Sequence, residues 1–173
     1  MWQKLVAGVC VMTGAVGFGL ALCGEMSSEI KHLKLQKQIV SYMKGEIGYL
    51  RRPMEEVLDI ISERMEPPYD IFLEQIAQRM KERSGKGLME LWKEEVYELK
   101  MKSDIPVRAS GYLERIGECF GCEGDRLQVQ TLELFERELD MEIDKRLQKR
   151  EENDRLVRAL STLAGILGIV FFL

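Results

Sequence analysis

Apolar positions divide the chain into two uncharged ends and a strongly patterned middle. Leu5 to Gly24 and Ala159 to Leu173 contain no charged residue. Between them, hydrophobic residues return every third or fourth position, the spacing that keeps one face of an α-helix apolar. Ile30, Leu33, Ile39, Met43, Ile47 and Leu50 form one such stripe, continuing from the first apolar segment. Gly45 and Gly48 weaken its end, and Pro53 suits the first turn of a second helix built on Met54, Val57, Leu58, Ile61 and Met65. Pro67-Pro68 is expected to stop that helix. A third helix carries Ile71, Phe72, Ile76, Ala77 and Met80, and the break Ser84-Gly85-Lys86-Gly87 turns the chain into a fourth with Leu88, Leu91, Trp92, Val96 and Leu99. After Ser103-Asp104-Ile105-Pro106 comes a fifth helix with Leu113, Ile116 and Phe120, closed by Gly121-Cys122-Glu123-Gly124. The sixth starts near Asp125, a capping residue type, and runs through Leu127, Leu132, Phe135, Leu139, Ile143 and Leu147 to Leu156. No stretch keeps a period of two. The pattern predicts an all-α, six-helix, bundle-like domain flanked by N- and C-terminal transmembrane helices.

A bilayer core of about 30 Å needs roughly 20 apolar residues of helix, which Leu5 to Gly24 supplies. A cleaved signal peptide is an alternative, with Lys4 ahead of the apolar run and Gly19 and Ala21 as a small-residue cleavage site. A lipoprotein signal at Leu20-Ala21-Leu22-Cys23 is disfavoured by the large Leu22, and a buried core helix by the absence of any polar stripe. The C-terminal run, about 22 Å of helix, spans by recruiting Leu156 and Val157 and letting Arg158 reach the headgroups. Lys31, Lys34, Lys37, Lys44, Arg51 and Arg52 follow the first segment, and Lys145, Arg146, Lys149, Arg150, Arg155 and Arg158 precede the second. This bias places the middle on the cytoplasmic side. The expected organisation is therefore a transmembrane helix over 1–24, a cytoplasmic helical domain over 25–156 and a second transmembrane helix over 157–173. Small residues at helical spacing, Ala15 with Gly19, Gly17 with Ala21, Ser161 with Gly165 and Ala164 with Gly168, suit close helix packing in lipid.

Charge removes some functions. With 25 Lys+Arg against 29 Asp+Glu, a net charge of -4 and no long basic tract, the chain has no electrostatic footprint for nucleic acid. The single histidine, His32, removes the common Ser/His and Cys/His pairs unless it serves itself. Cys119 and Cys122 have the spacing of a thiol redox or half-zinc motif, but no second ligand pair and no strand-helix setting accompany them, so small buried cysteines at a helix end are the favoured reading. Glu55-Glu56, Glu94-Glu95 and Glu151-Glu152 read as solvated surface, because adjacent helical residues do not face one another. Gly85 and Gly87 around Lys86 lack the full phosphate-loop spacing. His32 reads as surface, and Trp92 and Tyr97 as core. Arg51 and Arg52 stand apart: they occupy a helix junction beside Tyr49 and Pro53, where either a docking corner or a basic loop fits. No metal or cofactor is expected.

Several segments in order resemble the stage III sporulation protein AB family of endospore-forming bacteria. Glu46-Ile47-Gly48-Tyr49-Leu50-Arg51-Arg52-Pro53-Met54 is similar to the family's Glu-Ile-x-Tyr-x-x-x-Pro-Leu segment, with Met54 for Leu. Ile116-Gly117-Glu118-Cys119-Phe120-Gly121, then Asp125-Arg126 and Gln130, resembles its Phe-Gly-x-x-Leu-Gly, Asp-Arg and Gln block, with a loop one residue longer. Leu163-Ala164-Gly165 resembles the closing segment. The resemblance implies a membrane component of the machinery linking mother cell and forespore during engulfment. Its soluble domain would be similar to the helical domains of the inner-membrane platform protein of type II secretion and type IV pilus systems. Implied partners are a secretion-type ATPase and other stage III sporulation membrane proteins; the apolar ends add the lipid bilayer, and their small-residue spacing adds further copies of the chain. On this reading the protein is a non-catalytic scaffold, and Tyr49, Arg51, Arg52, Pro53, Asp125 and Arg126 are its candidate partner interface. The competing readings are a membrane-tethered thiol enzyme using Cys119 and Cys122, and an exported helical protein held by its tail.

Overall fold

In a computed structural model the chain forms α1 (Trp2–Gly45), α2 (Met54–Ser62), α3 (Tyr69–Lys81), α4 (Leu88–Lys102), α5 (Val107–Glu118) and α6 (Asp125–Phe172). A π-helical turn, Glu46–Leu50, follows α1, and a 3₁₀ turn, Cys119–Gly121, follows α5. The structure describes the backbone of residues 2–50, 52–82, 85–121 and 124–172, and the side chains of these except 2–23, 49–50, 125, 160–161 and 163–172. Among the described residues there is no strand, and the fold is all-α. Among the described residues no helix is long and apolar enough to cross a membrane. The apolar ends, their small-residue pairs, Cys10 and Cys23 lie outside the described side chains.

Two compact units share the chain, one of Met1–Ile30 with Asp144–Leu173 and one of Lys31–Ile143. In the first, α1 and α6 meet through a Glu29–Arg146 ion pair whose side chains are each 12% exposed, and through Asn153 Nδ2, 3.4 Å from Met26 Sδ. A charge pair so far removed from water holds the register of the two helices, since losing either partner strands the other in a poorly solvated place.

The second unit contains the main core. Charge placement favours its short helices, with Glu55 and Glu56 in the first turn of α2, and Arg79 and Lys81 in the last turn of α3. The same holds for Glu90, Lys100 and Lys102 on α4. Helices α2, α3, α4 and α5 pack as successive neighbours. At their centre Trp92 is fully buried, its Nε1–H donating to the Leu113 carbonyl at 2.7 Å. Phe72 meets the indole edge-on at 4.9 Å between centroids and Phe120 meets it at 5.4 Å. Gly117 makes this possible, because a Cβ there would stand 2.5 Å from Trp92 Cδ1. A second buried group joins α1, α3 and α5. Gln36 donates from Nε2 to the Ala109 carbonyl (2.8 Å) and to the Tyr69 hydroxyl (3.0 Å), which lies 3.1 Å from His32 Nδ1.

Several sequence expectations change here. Helix α2 stops at Ser62, well before Pro67: Arg64 and Met65 donate to Ile61 and Ser62 in tight turns that bring Met65 into the core. On α3 the buried stripe is Tyr69, Phe72, Leu73, Ile76 and Ala77, and Ile71 is exposed because about 100° per residue carries it off that face. Phe120 lies in the 3₁₀ turn rather than on α5. Leu127 is exposed, since the buried face of α6 is Leu132, Phe135, Leu139 and Ile143. Tyr97 is exposed rather than core. Glu95 is buried rather than solvated, because Arg79 on α3 reaches it at 2.7 Å. His32 is half-buried against the Tyr69 ring, not a surface residue.

Candidate partner-docking site

The predicted site residues come from two distant parts of the sequence, the segment after the end of α1 and the start of α6. Helix α1 ends with Lys44 paired to Glu136 of α6 at 2.5 Å, and the π-helical turn follows directly. Such widened turns are rare and recur at functional positions. Ile47 is buried and anchors the turn, while a Cβ at Gly48 would lie only 3.6 Å from Val129 Cγ2. The turn therefore lies within ordinary van der Waals reach of the start of α6. On the other side Pro53 precedes α2, its carbonyl accepting from the Glu56 and Val57 N–H groups at 3.0 and 3.1 Å. The carbonyl of Gly124, whose φ of +98° is costly for other residues, accepts from Leu127 and Gln128 in the same way at the start of α6.

Of the six predicted site residues, the side chains of Arg52, Pro53 and Arg126 are described, and all three are exposed. Tyr49 belongs to the π-helical turn and Asp125 is the first residue of α6, so Gly124 rather than Asp125 occupies the cap position. The Tyr49 and Asp125 side chains and all of Arg51 lie outside the described residues. Arg52 Nε stands 3.7 Å from Glu46 Oε2, a charge contact too long for a hydrogen bond, and that buried oxygen has no hydrogen-bond partner. The structure brings Gly48 of the π-helical turn near Val129 of α6, an approach that no local signal announces.

The other chemical candidates have structural occupations. Cys119 is buried, its thiol directed at the Arg115 carbonyl at 3.6 Å, and Cys122 lies outside the described residues. Among the described residues no cluster has the makings of a metal site. Lys86 pairs with Glu94, which also accepts from Arg79, so hydrogen bonds from Lys86 first and Arg79 second hold the Glu94 carboxyl below its usual range. Arg115 and Glu138 form a two-bond pair at 2.5 and 2.7 Å, which raises the guanidinium and lowers the carboxyl. Burial pushes the His32 ring below its ordinary value, with Lys31 adding to the effect. Burial likewise raises Tyr69, against the opposing hydrogen bond from Gln36.

The sequence model of stage III sporulation protein AB matches residues 4–173. The chain belongs to this family. A solved structure of stage III sporulation protein AB (SpoIIIAB) superposes with a TM-score of 0.64 at 13% identity, covering 72% of this chain and 98% of that one. At that identity the likeness speaks for the fold. No curated protein sequence matches the chain. Family membership gives the corner added interest. The two segments that carry the family resemblance, 46–54 and 116–130, include the π-helical turn, the start of α2, the end of α5 and the start of α6. The approach of Gly48 to Val129 joins them.

Proposed function

We propose that this stage III sporulation protein AB family member is a non-catalytic membrane scaffold in the channel complex between mother cell and forespore. Residues 1–24 and 157–173 span the membrane, and residues 25–156 face the cytoplasm as a secretion-type platform domain. The domain docks a secretion-type ATPase and other stage III sporulation membrane proteins. Tyr49, Arg51, Arg52, Pro53, Asp125 and Arg126 form the docking corner. The observation that carries this reading is the meeting of the π-helical turn with the start of α6, with Arg52 and Arg126 both exposed there. A guanidinium fork on an exposed, preformed corner suits capture of a carboxylate-bearing partner surface. Its function is positional: the corner holds a partner, and bond-making chemistry belongs to the ATPase.

Reversing charge in the double variant Arg52→Glu/Arg126→Glu is expected to abolish co-purification of the full-length protein with the ATPase while leaving helical circular dichroism unchanged. Undiminished co-purification removes the corner from the interface. The topology is checked by adding protease outside intact cells, where the middle domain is expected to survive.

A further inference from the structure

Glu46 opens the π-helical turn, and its carboxylate stands in an unfavourable place. The side chain is 14% exposed, and its buried Oε2 has no hydrogen-bond partner. Buried polar atoms are nearly always hydrogen-bonded, and a carboxylate loses more than a neutral group when it leaves water. Neighbouring bases do not repair this, since Lys44 is taken by Glu136 and Arg52 Nε stays 3.7 Å away. A local rule broken in this way, without gain in stability, is expected where a site needs the group. What the carboxylate reaches is the Arg52 guanidinium, and only as a charge. The Arg52 side chain is 42% exposed and makes no hydrogen bond to any described residue. Its base is restrained as well. Pro53 follows directly with φ of -54° and its carbonyl is tied to the Glu56 and Val57 N–H groups, which confines the Arg52 backbone to extended conformations.

We propose that Glu46 is a positioning residue for Arg52: its buried carboxylate draws the guanidinium in by Nε and leaves Nη1 and Nη2 for a carboxylate on the partner. The proposal rests on the docking role of Arg52. Nη1 and Nη2 carry four N–H donors in a planar fork that matches the two oxygens of a carboxylate. A free arginine side chain has many rotamers, and losing them on binding opposes association. Pro53 at the base and Glu46 at the tip remove part of that freedom before the partner arrives, so less is lost at the encounter. The length of the Glu46 contact matters for the same reason. A two-bond Glu46–Arg52 bridge would occupy the donors that the partner needs, whereas a charge contact steers the guanidinium and keeps its outer nitrogens open.

The test titrates the purified secretion-type ATPase onto the full-length protein in vesicles of phosphatidylethanolamine and phosphatidylglycerol, comparing wild type with Glu46→Gln, Arg52→Ala and the double variant. Arg52→Ala is expected to weaken binding by about tenfold or more, and Glu46→Gln by about three- to tenfold. The double variant is expected to bind within about twofold of Arg52→Ala alone, because Glu46 acts only through Arg52. The urea midpoint of Glu46→Gln is expected to be no lower than that of wild type, since the change removes a charge from an oxygen that has no hydrogen bond. Losses that add in the double variant mean that Glu46 acts on the partner by another route, and they overturn the proposal. Unchanged affinity in Glu46→Gln overturns it too. A midpoint that falls together with the affinity makes Glu46 a structural residue and defeats the positioning role. Wild-type affinity in Arg52→Ala defeats the docking role of Arg52 itself and the proposal with it, an outcome distinct from failure at Glu46 alone.

Discussion

Two buried aromatics of the second unit are held by opposite means. Trp92 sits in an apolar setting, between Phe72 and Phe120 and over Gly117, with its one polar atom donating to the Leu113 carbonyl. Tyr69 is equally buried but sits in a polar chain from Gln36 to His32. The Ala109 carbonyl can only accept, which turns Gln36 Nε2 toward it and toward Tyr69. The Tyr69 hydroxyl also shares a hydrogen bond with His32 Nδ1, whose ring burial holds below its ordinary value. Gln36 Oε1 is left buried with no hydrogen-bond partner. The difference teaches that the first group contributes packing that depends little on pH, whereas the second gives orientation to α1, α3 and α5 at the cost of an incompletely satisfied buried amide.

Breaking the apolar group should have the largest effect. Trp92→Ala removes the central ring of three helices and is expected to destabilise the protein by about 3–5 kcal/mol, read from urea denaturation followed by circular dichroism. The polar group should respond less, and in a way that reveals its wiring. Tyr69→Phe leaves His32 Nδ1 without its hydrogen-bond partner and one Gln36 N–H without an acceptor, and is expected to cost about 1–3 kcal/mol. Adding Gln36→Leu to Tyr69→Phe removes the stranded amide, so the double variant should be no less stable than Tyr69→Phe alone. A strictly additive double-variant loss would show that the hydrogen-bond chain is not coupled.

The smallest and most specific effect is on pH. His32 is held neutral in the folded chain, with its value lowered by burial and by Lys31. The unfolded chain therefore binds more protons between the lowered folded value and the ordinary 6.5, and stability rises with pH across that interval. The contribution is fully present above about 6.5 and is lost as pH falls through the folded value. Wild type should lose stability on mild acidification, and His32→Asn should flatten that part of the curve. A wild-type profile with no slope there would mean that the ring is not held neutral by its surroundings.

Much of the helical architecture was legible because each short helix carries its own stripe and punctuation. Val57-Leu58-Ile61, Leu91-Trp92-Val96 and Leu132-Phe135-Leu139 are buried as their spacing demands. The errors came from residues whose partners lie far along the chain. Glu95 reads as surface until Arg79 is placed beside it, and His32 reads as surface until Tyr69 is. Ile71 and Leu127 read as core, because composition cannot say which of two apolar faces meets the domain. The candidate site residues come from two separate segments. They lie at a helix junction and a helix start, and the approach of Gly48 to Val129 near them is a tertiary contact that neither segment signals by itself.

The sequence by itself determined the all-α class, the number and order of the helices, the charge bias flanking the apolar ends and the family. These are properties of neighbouring residues, where a period of 3.6, a proline or a glycine acts within a turn or two. Tertiary structure alone decided which buried polar groups find partners, and that the π-helical turn lies on α6. Those outcomes depend on atoms brought together across 37 residues in the case of His32 and Tyr69, and across 73 for Gln36 and the Ala109 carbonyl. A local pattern carries no record of such distances, because hydrogen-bond geometry is fixed only when the helices have packed.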